Sequence, residues 1–231
     1  MSYKFLLFDL DHTLFDFDAA EDIALDMLLA DEGVKEISVY KNYYIPMNKQ
    51  LWRDLEAKKL TKQELVDTRF QRLFAHFGHE VDGKYFASRY EYFLSQQGQT
   101  YKGAAQLLDD LRQSGYQIYA ATNGIAKIQQ GRLAHSDIEA YFTKVFISEL
   151  AGTQKPDPAF FDYVAGQIAY FQKNSSLMIG DSLSADIAGG NRAGLDTLWY
   201  NPQRLSNDSS VRPLYEAASY QEIRTLLQVS K

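Results

Sequence analysis

The chain opens on Tyr3-Lys4-Phe5-Leu6-Leu7-Phe8-Asp9-Leu10, a short apolar run that ends in acids. Continuous rather than alternating apolar residues predict a strand buried on both faces, whose C-terminal end delivers Asp9 and Asp11 to a loop. From about Asp18 to Gln97 the texture changes. Segments such as Asn48–Lys58 and Lys62–Phe77 mix charge and aromatics at helical spacing, no convincing strand interrupts them, and Gly78 and Gly98 sit where helices stop.

Beyond Gly103 apolar runs and amphipathic segments alternate. Helices are expected over Ala104–Ser114, Ile125–His135, Pro158–Ala169, Leu183–Ala193 and Gln221–Val229. Strands are expected over Tyr116–Thr122, Lys144–Ser148, Ser176–Gly180 and Leu195–Tyr200, with a flexible loop over Asn201–Pro213. Strand–helix alternation predicts an α/β fold, a parallel sheet with helices on both faces. The helical stretch is therefore an insert that leaves and re-enters beside the end of the first strand. In open parallel sheets that edge binds ligands, so the insert is placed to act as a lid.

Composition narrows the function classes. The 231 residues are 45% hydrophobic, enough for a sizeable core, and carry a net charge of −6. That balance argues against a nucleic-acid polymer as partner while permitting a small phosphorylated metabolite held by a few local cations. There is no cysteine, so thiolate chemistry and disulfides are excluded. The apolar run Phe5–Phe8 is far below the ~20 residues of a membrane span, and no leader peptide is evident at the N-terminus. A cytoplasmic location is expected, and oligomeric state is left open.

Four groups of polar residues fall at four predicted strand ends. Asp9-Leu10-Asp11 places two carboxylates at one loop. Thr122-Asn123-Gly124 supplies a hydroxyl and backbone N–H groups that can face an oxyanion. Lys155-Pro156-Asp157-Pro158 sets an ammonium before a rigid turn and a helix start. Gly180-Asp181, followed by Asp186 in the first turn of the next helix, offers a hard-cation ligand and a second acid. Each alone has a bland reading as cap, turn or surface charge. Together, in this order, they provide what phosphoryl transfer to a carboxylate requires: a nucleophile, a proton shuttle, a metal site and cations for phosphate oxygens.

The set resembles the four motifs of the haloacid dehalogenase superfamily of phosphohydrolases, carried here by DLDHT, the Thr122 strand end, Lys155 and GDSLSAD. The resemblance spans the whole chain and implies a Rossmann-like core over residues 1–16 and 98–231 with a helical cap over 17–97. Looser stretches (FDFD, NKQLW, RFQ, TNG and FISEL–KPDP) are similar to bacterial pyrimidine-nucleotide 5′-phosphatases, the house-cleaning nucleotidases. By resemblance Asp9 is the nucleophile that becomes an aspartyl phosphate, and Asp11 is the general acid and base. Mg2+ would be held by Asp9, Asp181 and the backbone carbonyl of Asp11. Thr122, Asn123 and Lys155 would bind phosphate, and Asp186 would orient Lys155 or a metal-bound water. Phe15, Phe17, Asn48, Trp52 and Arg69 are candidates for substrate specificity, against the bland reading that aromatics at helical spacing are core.

Other readings remain open at this stage. A phosphatase of sugar phosphates or phosphoglycolate uses the same core motifs, and a hexose-phosphate mutase keeps the acid pair. A haloacid dehalogenase would leave Asp11 idle, because halide needs no proton. A phosphonate hydrolase would require a Schiff-base lysine in the insert, where Lys58, Lys59 and Lys62 are available. A non-catalytic binding protein would be expected to have lost a motif residue, and none is missing.

Overall fold

The computed structural model describes residues 3–229. It divides into two compact units, one of Met1–Phe17 with Gly98–Lys231 and one of Asp18–Gln97. The first contains a six-stranded sheet built from β1 (Phe5–Phe8), β2 (Gln117–Thr122), β3 (Lys144–Ile147), β4 (Ser176–Gly180), β5 (Asp196–Tyr200) and β6 (Tyr215–Ala217). All neighbours pair in parallel, in the order β3-β2-β1-β4-β5-β6. β1 is central, and the chain winds outward on one side of it through β2 and β3, then crosses to β4 on the other. The crevice beyond the carboxyl ends of β1 and β4 is thus the topological switch point, the place where such sheets bind ligands.

All four β1 residues are fully buried because both sheet faces are covered. Leu6 and Phe8 point into one core with Ile118, Ile179 and Leu198, closed by α5 (Ala104–Gln113) and α10 (Tyr220–Leu226). Phe5 and Leu7 point into the other with Tyr119, Ala121 and Met178, closed by Phe160, Phe161 and Val164 of α8 (Pro158–Gln167). Between lie α6 (Ala126–Ala134), the single turn α7 (Ser148–Ala151) and α9 (Ala188–Ala193).

Two local features depart from the expected pattern. The helix expected over Leu183–Ala193 opens with a wide π turn at Leu183–Ile187, where the Ile187 N–H reaches the Ser182 carbonyl five residues back. The three-residue strand β6 follows the loop and extends the sheet at its edge.

The second unit is entirely helical: α1 (Phe17–Asp31), α2 (Ile37–Glu56), α3 (Lys62–His76) and α4 (Gly83–Ser95), the first helix starting at the junction. The expected segment Asn48–Lys58 belongs to the longer α2, which carries Pro46 within it. Thr61 and Glu64 cap α3 reciprocally, the Thr61 hydroxyl accepting from the Glu64 N–H and the Glu64 carboxylate from the Thr61 N–H. No described helix is long and apolar enough to cross a membrane.

Candidate active site

Asp9 follows β1 directly, and its N–H donates to the Ile179 carbonyl at 2.8 Å, continuing the pairing with β4. The loop then folds back on itself, with the N–H groups of Leu14 and Phe15 both donating to the Leu10 carbonyl at 2.8 Å. His12 adopts φ 61° at the bend. The Tyr220 hydroxyl donates to the Thr13 carbonyl at 2.6 Å and pins the loop to the sheet unit.

Lys155 is the centre of the charge network. Its side chain is 1% exposed, and Nζ donates to Asp9 Oδ1 at 2.6 Å, Asp186 Oδ1 at 2.6 Å and the Ala121 carbonyl at 2.5 Å. Three acceptors satisfy an ammonium completely. The backbone of Lys155 is fixed by Asn123, whose side chain donates to the Lys155 carbonyl at 2.8 Å and accepts from its N–H at 2.9 Å. Asp186 is buried, and its Oδ2 accepts from the Ser182 N–H at 3.0 Å, a reach the wide turn permits. The close approach requires Gly180: a Cβ there would stand 2.2 Å from Asp186 Oδ2.

Asp181 leaves the end of β4 and accepts from the Thr13 hydroxyl at 3.3 Å, while its carbonyl accepts from the Trp199 indole at 2.8 Å. Carboxylate oxygens of Asp9, Asp181 and Asp186 lie within 4.8 Å of one another. Burial pushes Asp9 up to about 7, against the pull of the Lys155 ammonium and with the help of Asp186. Burial and the neighbouring Asp9 raise Asp181 well above the usual carboxylate range. For Lys155 burial disfavours the charge, but Asp186 and Asp9 outweigh it and hold the ammonium protonated. One lysine cannot neutralise three gathered acids, which is why two of them hold protons so tightly, and their hard oxygen donors are the set a divalent cation such as Mg2+ fits. Asp186 is 1% exposed and enclosed by its bonds to Lys155 and Ser182, so the less enclosed Asp9 and Asp181 are the ligands better disposed to it.

Thr122 ends β2, buried, its hydroxyl accepting from the Gly124 N–H at 3.1 Å and lying 3.4 Å from Gln129 Nε2. Asp11 stands apart from the acid cluster, its carboxylate held by Gln129 at 2.5 Å and by Arg132, both on α6. Neither α6 residue was among the candidates. The signal was present only as two polar residues three apart on a short helix, indistinguishable in sequence from a solvated face.

The specificity candidates separate. Phe15 is fully buried in the sheet unit's core with Arg132 over its ring at 4.3 Å, which makes it a packing residue. Phe17 is half-buried, 5.4 Å from the same guanidinium. In the helical unit Trp52 packs against Leu51, Leu55 and Leu65. Asn48 and Arg69 are buried in a polar cluster that sequence reasoning had only half found. Asn48 donates to Glu21 Oε1 at 3.0 Å, the Tyr90 hydroxyl lies 3.5 Å from the same oxygen, and Arg69 lies over the Tyr90 ring at 4.8 Å. Four helices each contribute a side chain. Asn48 Oδ1 and Arg69 Nε have no hydrogen-bond partner, and burial pushes Glu21 up to about 7 against the pull of Asn48 and Arg69. Lys58 and Lys59 are exposed, and Lys59 pairs with Asp54 at 2.9 Å, a solvated setting unlike that of a Schiff-base lysine.

The chain is 61% identical over 223 residues to the pyrimidine 5′-nucleotidase PynA of Streptococcus pneumoniae, covering 96% of this chain and 94% of that protein. It is 31% identical over 230 residues to the pyrimidine 5′-nucleotidase YjjG of Escherichia coli, covering 98% and 99%. Its structure superposes on that of the HAD hydrolase YfnB of Bacillus subtilis bound to magnesium, with a TM-score of 0.94 at 39% identity, over 99% of this chain and 100% of that one. The sequence profile of the haloacid dehalogenase-like hydrolases matches residues 3–194, more than half the chain, and with carboxylates and lysine gathered at the switch point of the sheet this chain belongs to that family.

Proposed function

We propose that this chain is a Mg2+-dependent phosphomonoester hydrolase that acts through an aspartyl phosphate on Asp9, with pyrimidine nucleoside 5′-monophosphates as its substrate class. The observation that carries the reaction class is the buried Asp9–Lys155–Asp186 network beside Asp181 at the switch point. The substrate class rests on the 61% identity to a pyrimidine 5′-nucleotidase.

In this reading an Asp9 carboxylate oxygen attacks phosphorus, the ester P–O bond breaks, and the leaving oxygen takes a proton from Asp11. Water then attacks the aspartyl phosphate, its proton passes to Asp11, and the bond to Asp9 breaks to release phosphate. Asp9, Asp181 and the Asp11 carbonyl are assigned to hold Mg2+, which when bound offsets charge repulsion between nucleophile and substrate. Thr122, the Asn123 N–H and Lys155 are assigned to the phosphate oxygens, with Asp186 fixing Lys155.

The helical unit is assigned to substrate selection. The unmatched acceptor of Asn48 and donor of Arg69 suit a ring edge that offers both N–H and C=O, as a pyrimidine does. Asn48→Ala is expected to raise KM for nucleotides with little change for p-nitrophenyl phosphate, and equal effects on both would remove Asn48 from recognition.

The direct test is phosphate release from dUMP, dTMP, UMP, purine nucleotides, sugar phosphates, phosphoglycolate and p-nitrophenyl phosphate, with Mg2+ and with chelator. Release that needs Mg2+, favours pyrimidine nucleotides and vanishes in Asp9→Asn is the expected result. Full activity in folded Asp9→Asn would sink the mechanism, and a preference for sugar phosphates would keep the chemistry and discard the substrate. Asp11→Asn is expected to slow turnover by ~10²–10⁴-fold.

A further inference from the structure

Helix α6 carries two polar side chains that neither the phosphate nor the cation assignment uses. Arg132 is fully buried, its guanidinium 4.3 Å from the Phe15 ring centroid and 5.4 Å from that of Phe17. Gln129 is 1% exposed, and its Oε1 has no hydrogen-bond partner. Three residues apart on one helix, the two share a face. Both aim donors at one acceptor: Arg132 Nη1 bonds Asp11 Oδ1, and Gln129 Nε2 bonds Asp11 Oδ2 at 2.5 Å.

A buried guanidinium is costly unless an anion pairs with it, and here that anion is Asp11. The pairing takes one oxygen to each donor and fixes the rotation of the carboxylate, while each oxygen keeps a second lone pair, and it is there that Asp11 carries the proton when it acts as the acid. The same Gln129 amide stands 3.4 Å from the Thr122 hydroxyl, so one side chain touches both the proton shuttle and the phosphate site.

A third residue makes this possible. A Cβ on Gly124 would lie 2.3 Å from Gln129 Nε2 and 2.5 Å from its Cγ. The requirement for glycine there is steric, an opening through which Gln129 reaches Asp11.

We propose that Arg132 and Gln129 are positioning residues that hold the Asp11 carboxylate in the orientation from which it exchanges a proton with the leaving oxygen, with Gly124 as the gap that admits Gln129. This rests on Asp11 being the acid and base of the proposed reaction. The leaving group supplies the test. A nucleoside departs as a poor alkoxide and needs the proton, whereas p-nitrophenolate departs as a stable anion and does not.

The experiment measures kcat/KM for UMP and for p-nitrophenyl phosphate, with Mg2+, in wild type, Arg132→Met, Arg132→Lys, Gly124→Ala and each combined with Asp11→Asn. Arg132→Met and Gly124→Ala are expected to lose ~10²-fold more on UMP than on p-nitrophenyl phosphate, the scale of a misplaced catalytic group. Arg132→Lys is expected to recover part of the loss. In the Asp11→Asn background neither substitution should add to the difference between the two substrates. Equal losses on both substrates, or a difference still added in full in Asp11→Asn, would overturn the proposal while leaving the acid–base role of Asp11 intact. Wild-type turnover in Asp11→Asn alone would instead remove that role and the positioning proposal with it. Gly124→Ala leaves the Arg132–Asp11 pair in place, so it carries the comparison if Arg132→Met fails to fold.

Discussion

The ammonium of Lys155 spends its three N–H groups on Asp9, Asp186 and the Ala121 carbonyl, so a phosphate oxygen must displace one of them to be bound. Asp9 is the bond the proposed chemistry itself would release, since phosphorylation converts that carboxylate into an acyl phosphate, a mixed anhydride, and brings phosphoryl oxygens to the same place. Asp186 has a different part. Both its oxygens are occupied, and it stays as the permanent counter-charge. Removing the cation should therefore damage folding as well as activity. In chelator, Lys155→Met is expected to lose about 3–5 kcal/mol of stability in urea unfolding, because buried carboxylates are left unpaired. Adding Asp186→Asn to Lys155→Met should return part of that loss. If the double variant is no more stable than Lys155→Met, Asp186 is not the charge that Lys155 neutralises.

At the level of elements, what was legible in the sequence followed from short-range pattern. Asp9, Thr122 and Asp181 end apolar runs, and a buried strand has to stop where its polar residues begin, so their places at the sheet edge could be read directly. The helices of the insert carried their own 3.6-residue period and turned out as four helices. Tertiary placement was not legible. β6 has three residues and exists because the free edge of β5 lies beside it, which no local pattern announces. The wide turn at Leu183–Ile187 looks like ordinary helix until Asp186 is required to reach Ser182. Arg132 reads as a surface residue of α6, and its partner Asp11 is 121 positions away. In sequence Phe15 stands beside Phe17 as a candidate ring for a substrate, yet the fold of the loop turns it into the core. The residues that were missed are those whose role depends on a contact between distant segments.

For the molecule as a whole, an acidic chain with buried carboxylates in both units has a stability that depends on pH, and Glu21 isolates one part of it. Asp9 and Asp181 titrate abnormally as well, but the proposed cation site overlaps them. Glu21 lies in the helical unit, where folding raises its pKa from 4.5 to about 7, burial outweighing Asn48 and Arg69. Between those values the folded chain binds more protons at Glu21 than the unfolded chain does. Stability from this group is therefore undiminished below pH 4.5, falls as pH rises through the window, and is lowest above about 7. Glu21→Gln keeps an acceptor for Asn48 and removes the charge. The variant should match wild type near pH 4.5 and exceed it at pH 8 by on the order of 3 kcal/mol, the shift converted at 1.36 kcal/mol per unit. Urea unfolding of both proteins across pH 4.5–8, in chelator, reads that difference. Because every other titrating group is common to the two proteins, the difference curve belongs to Glu21 alone. A flat curve would mean that Arg69 holds Glu21 ionised in the fold, and the buried cluster would then be a salt bridge instead of a neutral acid beside Asn48.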